Sequence, residues 1–564
     1  MSSWKRTRML AHPRTKVRPR ALRRLLLTAS PGERPARITC LLILVIAFTC
    51  PASRAATAPR YGGTLIVELH APALVLDPVA WKVGSPEDSA NLQMAAAVLD
   101  RLVTLDRFGR FQPALATEWS HDAAWRRWQF TLRSAVQFSD ASALTAADVA
   151  AALQELAPGL SPAKPLVTAN ANRVVMQFPS PVPDLLEQLA SGRNFIYRRN
   201  PDGTLLGTGP FYLAAVVPAA GNTFARYEFA GNEHCWSGRP FVDRMQVALG
   251  VPILRQLFDL QLGKAHVVEL SPELVRRAAQ ENLRVWTSSP VLLYALQVST
   301  ESPAASRGDT AASRAAGLGE ALSLALDRDT MANVLLQKQA EPAASFLPQW
   351  LSGYASVFNT ENDVTRAKKI SGALFAPAGA QNAQQPLRLR VEAPGDLARL
   401  IAERVAINAR QAGIAVQLQS RSTVVQGGGL QGSATQGTSP AGSTTLAANN
   451  ASRAADLGSL RLIAWRYYSL SERAELDAMV SALQLARSDT EAPSPNAEEL
   501  FSREQRLIAA RSLIPLVVMP EYIGLGSPVR DWMPERWGAW HLADVWLDEK
   551  RGDTATPANG KAQP

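Results

Sequence analysis

The chain has 564 residues, 47% hydrophobic and 19% charged, a composition that excludes a disordered polymer and is too long for a single core, so two or three lobes are predicted. Its formal charge of +10 suggests a polyanion partner, but residues 1–55 hold 12 Lys or Arg against one acidic residue. The rest balances 47 basic against 48 acidic residues, so no nucleic-acid partner is expected.

The basic stretch ends at Arg37 and is followed by "ITCLLILVIAFTC", 13 residues long, and then by "PASRAA". That order is the order of a secretory signal, and the run is shorter than the roughly 20 residues a spanning helix needs. Residues 1–55 are therefore expected to be a cleaved signal with a long basic start, which places the protein in the periplasm or another extracytoplasmic space. Lipid attachment at Cys50 is the minor alternative, since "AFTC" fits a lipid box poorly. Past this leader only Cys235 remains, so no internal disulfide is available and stability must come from a large core.

In chain order, "YGGTLIVELHAPALVLDP" reads as a strand after Gly-Gly, closed by the turn Asp77-Pro78. "NLQMAAAVLDRLVTLD" has helical periodicity and runs into a strand, and "RRWQFTLRSAVQFS" alternates as a half-buried strand does. "ALTAADVAAALQEL" opens a helix with Thr145 three residues before Asp148, a capping box. "GTGPFYLAAVV" and "FVDRMQVAL" read as strands, and "PILRQLFDLQLGK" as a helix closing on Gly263. "GEALSLALDRDTMANVLLQKQ" predicts one helix of about five turns. "LARLIAERVAINARQAG" followed by "IAVQLQ" is helix, glycine stop and strand. "RLIAWRYYSLSERAELDAMV" opens as a buried strand and closes as an amphipathic helix. Residues 420–458, rich in Ser, Gly, Thr, Ala and Asn, read as a flexible excursion, and 553–564 as a polar tail. The class is mixed α/β.

Chemistry is hard to find. Beyond the leader, histidines 70, 121, 234, 266 and 541 have no zinc-ligand spacing, and there is no HExxH, CxxC or Walker sequence. "GGGLQG" (427–432) matches a dinucleotide fingerprint but opens no helix, and "SPAK" (161–164) matches SxxK without its partner motifs. No enzyme, metal or cofactor is expected. A hydrolase using a carboxylate pair is the least supported of three readings.

Eight blocks, in order from about residue 60 to 547, resemble the extracytoplasmic solute-binding proteins of family 5, the peptide, dipeptide and nickel type that feeds ABC importers. They are "GGTLIVEL" with "LDP", "LDRLVTLDRFGRFQPALATEWS", "FTLRSAVQFSDASALTAADVAAAL", "GTGPF", "GNEHCWSGRPFVDRM", "LQLGKAHVVEL", "ALSLALDRDTM" and "ARSLIPLVV". The resemblance implies a periplasmic-binding-protein-like fold (type II, cluster C), a two-lobed clamshell with an additional third domain. It implies a discontinuous lobe I from 59–78, 182–288 and 512–550, an extra domain II over 79–181, and lobe III over 289–511 carrying the insertion. It also implies a monomer that traps a small-molecule or peptide ligand between lobes and docks on an inner-membrane permease. Asp327 and Arg328 match the family and are read as structural.

The match departs from the family where "LIAW" aligns with the strand before the ligand loop. The aspartate that anchors a peptide's amino end falls on Tyr468, and a neutral phenol cannot offset the lost hydration of a buried ammonium. Arg466 would repel the same group, and a loop of about 30 residues, judged by the family's pattern, is missing. Either Trp465, Tyr467 and Tyr468 form a stacking surface with Arg466 receiving a carboxylate, or they fill the vacated space with Arg466 in solvent. Tyr294 and the loop Trp81, Val83, Ser85 are further candidate contacts. Arg101, Leu99, Ala141 and Gly319 also depart from the pattern. A non-transport derivative, a sensor or interaction protein with a degenerate site, is the rival reading.

Overall fold

The computed structural model describes residues 58–548 apart from 83, 84, 86, 107, 161–163, 222, 300–308, 376–385, 394, 420–458, 486–496 and 536. The predicted leader, the low-complexity stretch, the polar tail and Val83 lie outside the described residues.

The strands that organise the molecule are β1 (Thr64–Leu69), β2 (Ala116–His121), β3 (Arg127–Leu132), β4 (Leu166–Asn170), β5 (Arg173–Gln177), β6 (Phe211–Val217), β7 (Ala225–Gly231), β8 (Arg244–Leu249), β9 (Val267–Leu270), β10 (Arg284–Ser299), β11 (Leu387–Val391), β12 (Val416–Gln419), β13 (Ser459–Arg466) and β14 (Leu513–Leu525). The helices used below are α1 (Asp88–Val98), α2 (Ala146–Leu160), α3 (Ile253–Gln261), α4 (Asp309–Ala325), α5 (Gly395–Gln411), α6 (Glu472–Ala482) and α7 (Ala497–Ala509). The large sheet runs β6-β7-β8-β1-β9-β14-β10-β13-β11-β12, with Glu341–Pro342 added on β14. A second sheet, β2-β3-β5-β4, is antiparallel throughout.

β1 sits between β8 and β9, parallel to both, and Leu65, Val67 and Leu69 alternate into one core, while Glu68 is desolvated on the other face. β3 alternates as well: Trp128, Phe130 and Leu132 point into a core, while the residues between them are partly or fully exposed. That core is completed by Val149, Leu153 and Leu160 of α2. The capping box forms as its spacing predicts, with Asp148 N–H donating to Thr145 Oγ1 (3.2 Å) and Thr145 N–H to the Asp148 carboxylate (2.8 Å). Ala141 takes the left-handed conformation (φ 65°), in a turn where an L side chain is strained.

β10 and β14 are the longest strands of the large sheet, and they change neighbours along their length. Arg284–Thr287 pair with Tyr522–Leu525 beside β9, whereas Leu292–Gln297 pair with Leu513–Met519 beside β13. Between these stretches Pro290 faces Pro520, with register shifts on both sides. Neither proline can donate to the ladder, so its hydrogen bonding is interrupted where the sheet passes from one half to the other. Each half has its own core: one around Leu65, Val67, Met245 and Val247, the other around Leu322, Ile401, Leu460 and Leu462.

One predicted element is corrected. The expected five-turn helix stops at Ala325. Asp327 leaves helical geometry and caps a new turn, accepting from Thr330 N (2.9 Å) and Thr330 Oγ1 (2.6 Å). Arg328 is buried and donates to the carbonyls of Pro515 (2.8 Å) and Ser323 (3.1 Å). These bonds reach to β14 and draw the chain off the helix axis, which periodicity cannot reveal.

Two desolvated carboxyls set a pH dependence. Burial pushes Glu68 up to about 7, with Asp259 adding and Arg255 opposing. Burial and then Glu504 push Glu472 up to about 7. The unfolded chain releases these protons near 4.5, so between about pH 4.5 and 7 the native state binds more protons and loses stability as pH rises. The melting temperature is expected to rise on acidification from about pH 8 to about pH 5.5. Glu68→Gln with Glu472→Gln should remove part of that slope, on the order of 1 kcal/mol after solvent screening. A slope unchanged in the double variant would rule these two groups out.

Candidate functional site

The crossing of β10 and β14 gathers a cluster of polar and charged groups. Arg466 ends β13 opposite Leu292, just past the paired prolines. It is 3% exposed and donates through Nε and Nη2 to the two oxygens of Glu521 (2.9 and 3.1 Å), and through Nη1 to the Tyr467 carbonyl (3.2 Å). Burial opposes its charge, but Glu521 outweighs burial and raises the guanidinium pKa. Burial likewise pushes Glu521 up, yet Arg466 holds it below the usual carboxylate range. The placement of Arg466 in solvent is therefore corrected: it is buried, and its fork holds a carboxylate of the same chain.

Alternation along β13 decides where the neighbouring rings go. Leu462 and Ala464 face the core built on α4 and α5, so Ile463 and Trp465 face the opposite core with Leu476 and Met479 of α6. Trp465 is 1% exposed, and its indole N–H donates to Glu475 Oε1 (2.6 Å). The other Glu475 oxygen accepts Tyr468 N (3.1 Å) and Ser469 N (2.8 Å). Burial raises the Glu475 pKa against these donors, and the carboxylate fastens the turn between β13 and α6. Tyr467 is equally buried, donates to the Phe346 carbonyl (2.6 Å) and meets Trp350 edge-on. Tyr294 is 3% exposed within the α4 core, its backbone between Ala464 and Val517.

Tyr468 is different. It is half-buried, its ring lies 6.2 Å from that of Trp81, and Arg466 stands 5.7 Å from the ring centre. Burial and then Asp88 push its hydroxyl well above the ordinary phenol range. Trp81 is held by its indole N–H on the Val75 carbonyl (2.7 Å) and packs edge-on against Phe195. Ser85 donates through N and Oγ to Asp88 (3.0 Å each), at the first turn of α1. So Trp81, Ser85, Arg466 and Tyr468 come together around Asp88 and Glu521, while Trp465, Tyr467 and Tyr294 stand behind them in two cores.

The turn after β13 also grips the segment 184–193. Gly192 N donates to the Tyr468 carbonyl (2.7 Å), Leu470 N to Ser191 Oγ (3.0 Å), and Arg473 to Asp184 (2.6 Å), which Ser471 Oγ also reaches. Arg193 donates to the Trp81 carbonyl (3.0 Å). Sequence reasoning missed Glu521, Glu475, Asp88 and Arg193. Glu521 had a signal, an acid after Pro520 in an otherwise apolar strand. Glu475 had none, because a carboxylate in the first turn of a helix is ordinary. Among the described residues no group of three or more His, Cys, Asp or Glu is arranged to hold a metal ion.

The family described as bacterial extracellular solute-binding proteins, family 5 Middle, matches residues 110–455. The chain is 23% identical over 401 residues to the periplasmic murein peptide-binding protein MppA of Escherichia coli (strain K12), covering 62% of this chain and 70% of that one. Among solved structures it is similar to Haemophilus influenzae OppA in complex with RPPGFSPFR, with a TM-score of 0.67 at 15% identity over 87% of this chain and 100% of that one. It is also similar to the Escherichia coli murein tripeptide binding protein MppA, with a TM-score of 0.65 at 16% identity over 87% and 99%. For Staphylococcus aureus NikA in complex with Ni(L-His)2 the TM-score is 0.61 at 14% identity, over 86% and 100%.

Proposed function

Because the chain belongs to the family 5 bacterial extracellular solute-binding proteins, we propose that it captures a peptide-like or other small organic solute between its two halves and delivers it, outside the cytoplasm, to the permease of an ABC importer. The lobes would follow the boundaries read from the resemblance, 59–78 with 182–288 and 512–550 against 289–511, with 79–181 as the additional domain. The observation that carries this reading is the crossing itself. Two long strands join the halves, prolines face each other where they pass, and the half-buried Tyr468, set beside the buried Trp81 and flanked by an ion pair, lies next to that joint. Rotation there would open and shut the space next to Trp81 and Tyr468 while leaving each core intact.

Of the candidate contacts, Trp81 and Tyr468 are the rings we assign to the solute, with Ser85 following Trp81 at the start of α1. Arg466 sets the charge of the wall, and Trp465, Tyr467 and Tyr294 support it from behind. The relatives suggest the chemistry to try first: one is named for murein peptide, and one was crystallised with a nonapeptide. A solute selective for the closed arrangement and present at about 100 times its dissociation constant should add about 2.7 kcal/mol of stability. Native mass spectrometry of the purified chain should therefore show a retained adduct, and a panel of di- to nonapeptides should raise the melting temperature. Tyr468→Ala should abolish that rise. The rival reading, a non-transport derivative, is favoured by the neutral phenol at position 468. A chain with no adduct, and no shift with peptides, amino acids, sugars or metal chelates, would establish that reading in place of ours.

A further inference from the structure

Away from the crossing, the four-stranded sheet carries a cleft of about 490 Å³ where the β2–β3 hairpin meets the segment following β5. Its lining includes Phe111, Trp119, His121, Trp125, Trp128 and Glu187. The hairpin loop is folded by Asp122, whose Oδ1 accepts Arg126 N (2.8 Å) and Arg127 N (3.1 Å), while Trp125 N donates to the Asp122 carbonyl (3.2 Å). This geometry forces residue 125 to φ 55°, where glycine is at ease and a tryptophan is strained. The strained backbone lays the Trp125 ring on His121 (3.7 Å between centroids, 18° apart) and beside Trp128 (5.6 Å). Trp128 is pinned below by its indole N–H on the Val182 carbonyl (3.2 Å). Strain of this kind, on the order of 1–3 kcal/mol, marks a side chain held for its position.

His121 Nδ1 lies 2.9 Å from the Asp122 carbonyl, which fixes the ring beneath Trp125. Glu187 is half-buried, and no basic side chain among the described residues pairs with it. Burial raises its pKa, with Asp184 adding, and Asp184 is itself taken by Arg473. Ring faces and a partly desolvated carboxylate line one concavity that has no Lys or Arg among its lining residues.

We propose that this cleft is a second binding site, for the ammonium group of a small organic cation, with its alkyl body against Trp119 and Trp125 and its charge toward Glu187. Cation–π contact and charge pairing act together there, and a neutral ligand of the same shape gains neither. The full chain is titrated with tetramethylammonium and n-butylammonium chlorides and followed by tryptophan fluorescence, with sodium chloride and tert-butanol as controls. A saturable change is expected with the ammonium salts and not with the controls. Trp125→Gly and Glu187→Gln should each weaken it about tenfold; Glu187→Gln should do so with the melting temperature held, because glutamine removes an uncompensated charge, and it keeps the test independent of the packing that Trp125→Gly gives up against Trp128. Tyr468→Ala should leave this affinity unchanged, which separates the cleft from the interlobe site. Absence of a saturable change, equal affinity for tert-butanol, wild-type affinity in both cleft variants, or loss of binding in Tyr468→Ala would overturn the proposal.

Discussion

Glu521→Ala is expected to lower the unfolding free energy by about 3–5 kcal/mol, because it strands the Arg466 guanidinium inside the protein without its counter-charge. Arg466 is 3% exposed and spends two of its donor groups on that one carboxylate, so solvent cannot take over. The same pair replaced on both sides by apolar residues, Arg466→Met with Glu521→Leu, should recover most of the loss, since no buried charge is then left alone. Urea denaturation of the three variants measures this directly. A loss below about 1 kcal/mol for Glu521→Ala would mean that Arg466 finds another partner or reaches water. The pair spans the crossing of the two long strands, so the apolar double variant should also change how readily the halves move apart, read as a changed melting-temperature response to any solute identified.

Gly207→Ala is expected to be at least as damaging. A Cβ at this position would overlap the backbone carbonyl oxygen of Val98, and its next neighbours are also close. Neither side can yield: Val98 ends α1, its carbonyl accepts Gly209 N (3.0 Å), and Thr208 between the glycines is fully buried, donating to Asp100 Oδ2 (2.7 Å). Overpacking of backbone against backbone should cost more than about 3 kcal/mol and reduce the soluble yield. Gly372→Ala is the matched control. It lies in a helix with nothing within 4 Å of the added methyl, and it should be neutral or stabilising by up to about 1 kcal/mol. If Gly207→Ala melts with the wild type, the "GTGPF" stretch has room that its packing against α1 denies.

The motif "GTGPF" illustrates how far the chain could be read. Its glycines and its place before a strand were visible, but the reason for them, a close approach to the end of α1 more than 100 residues earlier, was not. The same holds at the site. Strand β13, the turn and α6 follow from local pattern, and so does the crowding of Trp465, Arg466, Tyr467 and Tyr468. Which ring is buried in which core depends on the sheet's two faces, and which acid meets Arg466 depends on a residue 55 positions away. The break at Asp327 escaped for a like reason: the bonds that pull Arg328 aside end on Pro515.

Hydrophobic period, caps and glycine stops act within a few residues, so the amino-acid sequence alone settled the mixed α/β class, most of the alternation of strands and helices and the capping box at Thr145. The tertiary structure decided the rest: the facing prolines at the crossing, the Arg466–Glu521 pair, the direction of each aromatic ring after β13, and the strained tryptophan in the hairpin cleft. Those features are set by contacts between distant segments, whose energy depends on burial and geometry that no local pattern encodes.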